Sequence, residues 1–254
     1  MKLLKAMAIA FSIYSKIPVP QFEWKEEDME YMMCFFPWIG GVIGLFFFGW
    51  AVLCEKFAVG NVCYALIGAA IPLMISGGFH VDGYMDTMDA FHSYQSREKK
   101  LEILKDSHIG AFAAIMLALY YMIDIAAISE IHTQKAVSAL AAVFFLARCF
   151  SGIAVMTLQP AKKEGLLYTF ASSAQKVRVK AALYFQAALC VVLMLLVSGW
   201  YGAAAIGAAL LSFFYFKKKS YKELGGITGD TAGFFVTVCE AAAAAAVAVA
   251  GYLL

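Results

Sequence analysis

Three aspartates, Asp82, Asp86 and Asp89, fall within eight residues of the stretch GGFHVDGYMDTMDAF, residues 77–91. On an α-helix, at about 100° per residue, they share an arc of about 60° and stack over two turns. Like charges at i,i+4 repel, so the arrangement costs energy unless a cation sits among them. Hard carboxylate oxygens suit Mg²⁺ or Mn²⁺. Mg²⁺ takes one or two protein carboxylates and completes its shell with water and substrate phosphates. Three carboxylates could therefore serve one ion, or two ions bridging a phosphate in an in-line displacement. A solvated acidic helix face is the ordinary alternative. Gly83, Tyr84, Met85, Thr87 and Met88 between the aspartates are mostly apolar, and no Lys or Arg is interleaved, which favours the metal.

The elements that position this cluster are apolar helices. The chain is 63% hydrophobic and 15% charged over 254 residues, with a mean hydropathy of +0.75. Soluble domains carry about 25% charged residues. Apolar runs close to the roughly 20 residues a spanning helix needs recur along it. The reading is an all-α polytopic membrane protein with about seven transmembrane helices, near 32–54, 58–76, 109–129, 136–158, 181–200, 202–216 and 230–252, in one domain covering 1–254. No β-barrel alternation is sustained. The start, MKLLKAMAIAFSIYSKIPVP, has a basic end and a short apolar run but no small-residue cleavage pattern; it reads as a retained interfacial helix. Cys34, Cys54, Cys63, Cys149, Cys190 and Cys239 form no CxxC pair and read as small buried hydrophobes, giving neither disulfides nor a zinc site. With the N-terminus inside, seventeen Lys and Arg fall on the cytoplasmic side against Lys56 and Lys135 outside, a bias of the positive-inside kind. The polar segments 77–108, 159–180 and 217–229 then share the cytoplasmic face, and nothing calls for nucleic acid.

The aspartate stretch, followed by REKKLEILKDSHIGAFAA and then by LARCF, AKKEGLLYTF and LGGITGDTAGFFVTVCE, resembles the cobalamin synthase family, the adenosylcobinamide-GDP ribazoletransferases. The likeness extends in order from KIPVP almost to the C-terminus. Three positions depart from it: His108 stands where arginine is usual, Ala90 for a glycine, and Met85 for a small residue.

The resemblance implies an Mg²⁺-dependent enzyme of the late nucleotide-loop assembly of vitamin B12, in a bacterial or archaeal cytoplasmic (inner) membrane. It would join adenosylcobinamide-GDP to α-ribazole or its 5'-phosphate and release GMP. A ribose hydroxyl attacks the pyrophosphate phosphorus on the cobinamide side, a reaction that needs positioning and charge neutralisation. On this reading Asp82, Asp86 and Asp89 hold the metal, and Asp89 takes the hydroxyl proton. His80 is the competing base, or else a structural histidine bonding the loop backbone. Lys105, Ser107 and His108 open the third span. Ser107 can cap it, its free amides favour an anion, and Lys105 is a phosphate contact or a positive-inside anchor. His108 would be a pH-dependent phosphate contact, and the REKK cluster a solvated face. Arg148 lies mid-span, where charge is paired or functional. Glu240 is its partner or a second polar contact for the corrinoid, whereas Asp124 reads as structural, near an outer span end. In LGGITGD, residues 224–230, turn amides can cradle phosphate. Thr228 and Asp230 are substrate-binding candidates there, with Asp230 alternatively capping the last helix. Lys162 and Lys163 are candidates for the nucleotide or ribazole phosphate. Other corrinoid-handling membrane proteins are potential partners.

Two other readings use the same residues. A CDP-alcohol phosphotransferase calls for alanine and arginine where Asp86 and Thr87 stand. A cation transporter on Asp82, Asp86, Asp89 and Glu240 favours carboxylates at mid-span, whereas this cluster lies at a helix end.

Overall fold

The computed structural model describes residues 2–20, 23–162, 167–168 and 175–253. Among these the chain is helical, with one isolated parallel bridge between Pro160 and Ile227. Helix α1 (Lys2–Tyr14) buries Ala6, Ile9, Ala10 and Tyr14 and turns Leu3, Leu4 and Met7 outward. It has the two faces expected of an interfacial segment. Two short 3₁₀ turns then lead into α2 (Phe36–Lys56).

Among the described residues, five helices are long and apolar enough to cross a membrane: α2, α6 (Ala111–Ile128), α7 (Gln134–Thr157), α8 (Lys176–Ser198) and α10 (Gly229–Tyr252). They correspond to the predicted segments 32–54, 109–129, 136–158, 181–200 and 230–252. The predicted segment 58–76 becomes α3 (Asn61–Ser76), 16 residues long. It ends at Gly77 and Gly78, whose φ angles of 67° and 85° only glycine adopts at little cost. Across these glycines the chain bends by 97° into α4 (Phe79–His92); the two helices taken as one broken span would raise the number of crossings to six. A bend of that size sets α4 across the end of the bundle rather than along it. The predicted segment 202–216 lies in α9 (Trp200–Leu224), which carries Lys217, Lys218, Lys219 and Lys222 in its last two turns. All six cysteines are free.

The core is α7 and α10, with 78% and 72% of their apolar windows buried, against 22% in α6 and 28% in α8. Alanine-rich α10 permits the close approach that membrane helices rely on. On α2, a Cβ at Gly40 or Gly44 would overlap the carbonyls of Phe144 or Ala141 of α7. Gly40→Ala is therefore expected to force α2 from α7 and cost about 1–3 kcal/mol. Gly49→Ala, whose Cβ would meet nothing within 4 Å, serves as the control. The check is the unfolding midpoint of both variants in detergent.

The short helix α5 (Arg97–Ile103) is fastened to α9 by Lys100, which bonds Glu223; Lys219 bonds the same carboxylate at 3.0 Å. The loop 159–162 is paired with the glycine-rich turn, Ala161 N–H donating to the Ile227 carbonyl at 2.8 Å and Ile227 N–H to that of Gln159 at 3.0 Å. The described parts of the three polar segments thus meet at one end of the bundle, beside α4.

Candidate active site

Helix α4 crosses α10 where both helices lack side chains. A Cβ on Gly83 would lie 2.8 Å from the Asp230 carbonyl oxygen, and one on Gly233 would lie 3.1 Å from that of His80. This crossing brings Asp82 and Asp230 to the wall of one cavity of about 460 Å³. Lys105, Lys162 and Thr228 complete its polar side, and Tyr14, Phe36, Phe79 and His80 stand among its apolar walls. Its size falls within the range of about 300–1,000 Å³ usual for small-molecule sites.

The aspartates of α4 have separate fates. Asp82 is exposed at the cavity, and Asp86 is half-buried one turn further on. Burial, and then the charges of Asp82, Asp230 and Asp89, push the Asp86 carboxyl up to about 7. Asp89 is drawn elsewhere, its two oxygens accepting the N–H groups of Gly110 at 2.7 Å and Ala113 at 2.8 Å. It caps α6 from a neighbouring helix. The expectation that Ser107 caps this helix is thereby corrected: α6 starts at Ala111, its N-cap is the side-chain-less Gly110, and Asp89 takes the amides. Asp89→Ala is expected to lower unfolding stability by about 1–2 kcal/mol, as loss of a cap does, while Mn²⁺ affinity, read by electron paramagnetic resonance, is kept. Loss of Mn²⁺ binding at unchanged stability would return Asp89 to the metal set.

Lys105 and Lys162 line the cavity, and the Lys162 ammonium donates to the Leu101 carbonyl at 2.6 Å. Lys163 lies outside the described residues. Exposed His108 bonds the Asp106 carboxylate at 2.6 Å, which raises its pKa and favours the imidazolium. It lies with Asp89 along a shallow groove distinct from the cavity. Thr228 is the cap of α10, its hydroxyl accepting the Thr231 N–H at 3.1 Å. The alternative of Asp230 as cap is therefore not used, and Asp230 faces the cavity. Arg148 is 1% exposed and donates to Glu240 at 2.7 Å and to the Phe144 carbonyl at 2.8 Å. The two sit in the core as a pair, outside the cavity lining. Asp124, expected near an outer span end, is buried as well.

Among the described residues, no three His, Cys, Asp or Glu side chains converge on a site that could hold a metal ion. Asp82 and Asp86, crowded from α10 by Asp230, remain as mutually repelling carboxylates. That donor set fits Mg²⁺, which takes one or two protein carboxylates and draws its remaining ligands from phosphates and water. Sequence reasoning missed Tyr14, Phe36, Phe79 and Ser151 as cavity residues. Apolar residues in apolar segments give no local signal, although Gly83, directly after Asp82, marked a place of close helix approach.

A family model described as cobalamin-5-phosphate synthase matches residues 6–248. The chain is 44% identical over 250 residues to a protein of Lachnoclostridium phytofermentans named adenosylcobinamide-GDP ribazoletransferase, covering 98% of this chain and 95% of that one. A Clostridium botulinum protein of the same name is 31% identical, with 94% of each chain covered. One from Azorhizobium caulinodans is 30% identical, with 95% and 94% covered. No solved structure matches the chain.

Proposed function

This chain belongs to the cobalamin-5-phosphate synthase family, and from that we propose that it is an adenosylcobinamide-GDP ribazoletransferase. It joins adenosylcobinamide-GDP to α-ribazole or its 5'-phosphate and releases GMP. The observation that carries the reading at the level of chemistry is the cavity in which Asp82 and Asp230 stand with Lys105 and Lys162. The carboxylates suit a divalent cation and a proton acceptor, and the ammonium groups suit phosphate oxygens. Displacement at phosphorus needs this combination, because charge spreads over the phosphoryl oxygens and both reacting oxygens must be held in line.

Asp82 and Asp86 would hold Mg²⁺, with Mn²⁺ as a substitute; when bound, the ion supplies charge neutralisation at the pyrophosphate. Lys105 and Lys162 attract the phosphate oxygens. The ribose hydroxyl attacks the phosphorus on the cobinamide side, a new P–O bond forms there, and the bond to GMP breaks. Asp89, the carboxylate first considered as base, already accepts two amides. Asp230, which lines the cavity and is not needed for the metal, is the carboxylate we assign to take the hydroxyl proton. Seventeen basic residues on one side of the predicted spans, against two on the other, support a cytoplasmic membrane location with the N-terminus and this cavity facing the cytoplasm.

The test is to give the purified protein adenosylcobinamide-GDP and α-ribazole 5'-phosphate with Mg²⁺ or with chelator, and to follow GMP and corrinoid by mass spectrometry. Cobalamin phosphate and GMP in equal amounts, abolished by chelator, is the expected result. A well-folded protein making neither under any divalent metal would refute the reading.

A further inference from the structure

His80 is 4% exposed, lies against the cavity, and neither of its ring nitrogens has a hydrogen-bond partner among the described residues. Buried polar atoms without partners are uncommon and unfavourable, so this ring invites a ligand atom. Its faces and edges are already engaged: Tyr14 stacks on it at 6.2 Å and 8°, and Phe36 and Phe79 pack at 5.6 and 5.7 Å. A neutral imidazole offers one ring nitrogen as donor and the other as acceptor. The cavity therefore has two unlike sets of lining groups. One is charged, at Asp82 and Asp230. The other, among the described residues, is aromatic, with Tyr14, Phe36 and Phe79 around the His80 imidazole.

We propose that the aromatic set seats the flat base of the ribazole substrate, with His80 donating a hydrogen bond to its unsubstituted ring nitrogen. This rests on the transfer reading above and assigns one substrate to one set of lining groups. A benzimidazole suits the site because its surface is apolar and its free polar atom is one ring nitrogen. Guanine, the other base in the reaction, presents several donors and acceptors along its edge. Burying them against Tyr14, Phe36 and Phe79 would leave most of them unpaired, at a substantial penalty. With the base at His80, the attached ribose extends toward Asp82 and Asp230, where its hydroxyl must react. His80 is then a binding residue that positions the nucleophile.

The experiment compares α-ribazole with its indole counterpart, in which the free ring nitrogen is replaced by CH, on wild type and His80→Phe in detergent. Phenylalanine keeps the flat ring between Tyr14 and Phe36 and removes the nitrogens. Calorimetric affinity and KM are both read. Wild type is expected to bind α-ribazole about tenfold more tightly than the indole, the size of one hydrogen bond. His80→Phe is expected to bind the two alike, with an unchanged KM for adenosylcobinamide-GDP. Equal binding of the two by wild type overturns the proposal without any variant having to fold. A variant whose KM rises for adenosylcobinamide-GDP instead puts guanine at His80 and overturns it too, as does a fall in kcat alone. Wild type that prefers α-ribazole in calorimetry yet releases no GMP would refute the transfer reading and support this one.

Discussion

Asp82→Asn is expected to lower kcat/KM by about 10²–10³-fold, the scale on which removal of a single charge-stabilising group acts at a transition state. The same substitution is expected to leave the unfolding midpoint unchanged or slightly higher, because it removes one of the carboxylates crowding Asp86. The two effects together are diagnostic. A residue that merely holds the fold would lose activity and stability in parallel, whereas a metal-binding carboxylate gives up stability of the free protein for function. Stopped-assay GMP release and thermal unfolding in detergent decide the matter. Activity within tenfold of wild type would place the metal elsewhere.

The second large effect lies in the core. Arg148→Met leaves Glu240 buried without its guanidinium and is expected to cost about 3–5 kcal/mol, the usual penalty for breaking a buried pair from one side. Replacing both, as Arg148→Met with Glu240→Met, is expected to restore most of that loss, because the desolvation penalty of each charge disappears with the charge. Unfolding midpoints of the two single variants and the double variant form the cycle. If the double variant folds and turns over with an ordinary KM, the pair is structural. If it folds but its KM for the corrinoid rises, the substrate contact considered from the sequence is the correct role. A single variant as stable as wild type would show that the pair contributes nothing.

The membrane class, most helix positions and the place of the site at one helix end were legible because each follows from a local property. Apolar runs bounded by Lys and Arg set α2, α6, α7, α8 and α10 close to their observed limits. The three aspartates were legible as a helical arc, and Asp82 stands in the cavity as that arc suggests. Asp89 was not legible. Its role depends on the amides of Gly110 and Ala113, 21 and 24 residues away, and nothing in residues 77–91 announces that they arrive. Ser107 was misread for the same reason, since a neighbouring helix supplied the cap that local rules look for nearby. The partnership of Asp82 with Asp230 depends on the α4–α10 crossing through Gly83 and Gly233, a contact between distant segments. Arg148 and Glu240 were anticipated as a pair because charge inside a membrane leaves few other choices.

If α3 and α4 form one broken crossing, the sharp bend between them would tie the site to bilayer mechanics. With 16 residues, α3 rises about 24 Å, less than the roughly 30 Å of an ordinary hydrocarbon core. As a crossing, α3 would be a short tether for the helix bearing Asp82. Surrounding lipids must thin, or α4 must settle below the level of its headgroup neighbours, at a modest energy for each ångström of mismatch. Acyl-chain length is then expected to change the rate of GMP release in reconstituted bilayers. Short-chain lipids would leave the carboxylates level with the aqueous boundary, and long-chain lipids would draw them inward, so faster turnover is expected in the thinner bilayer.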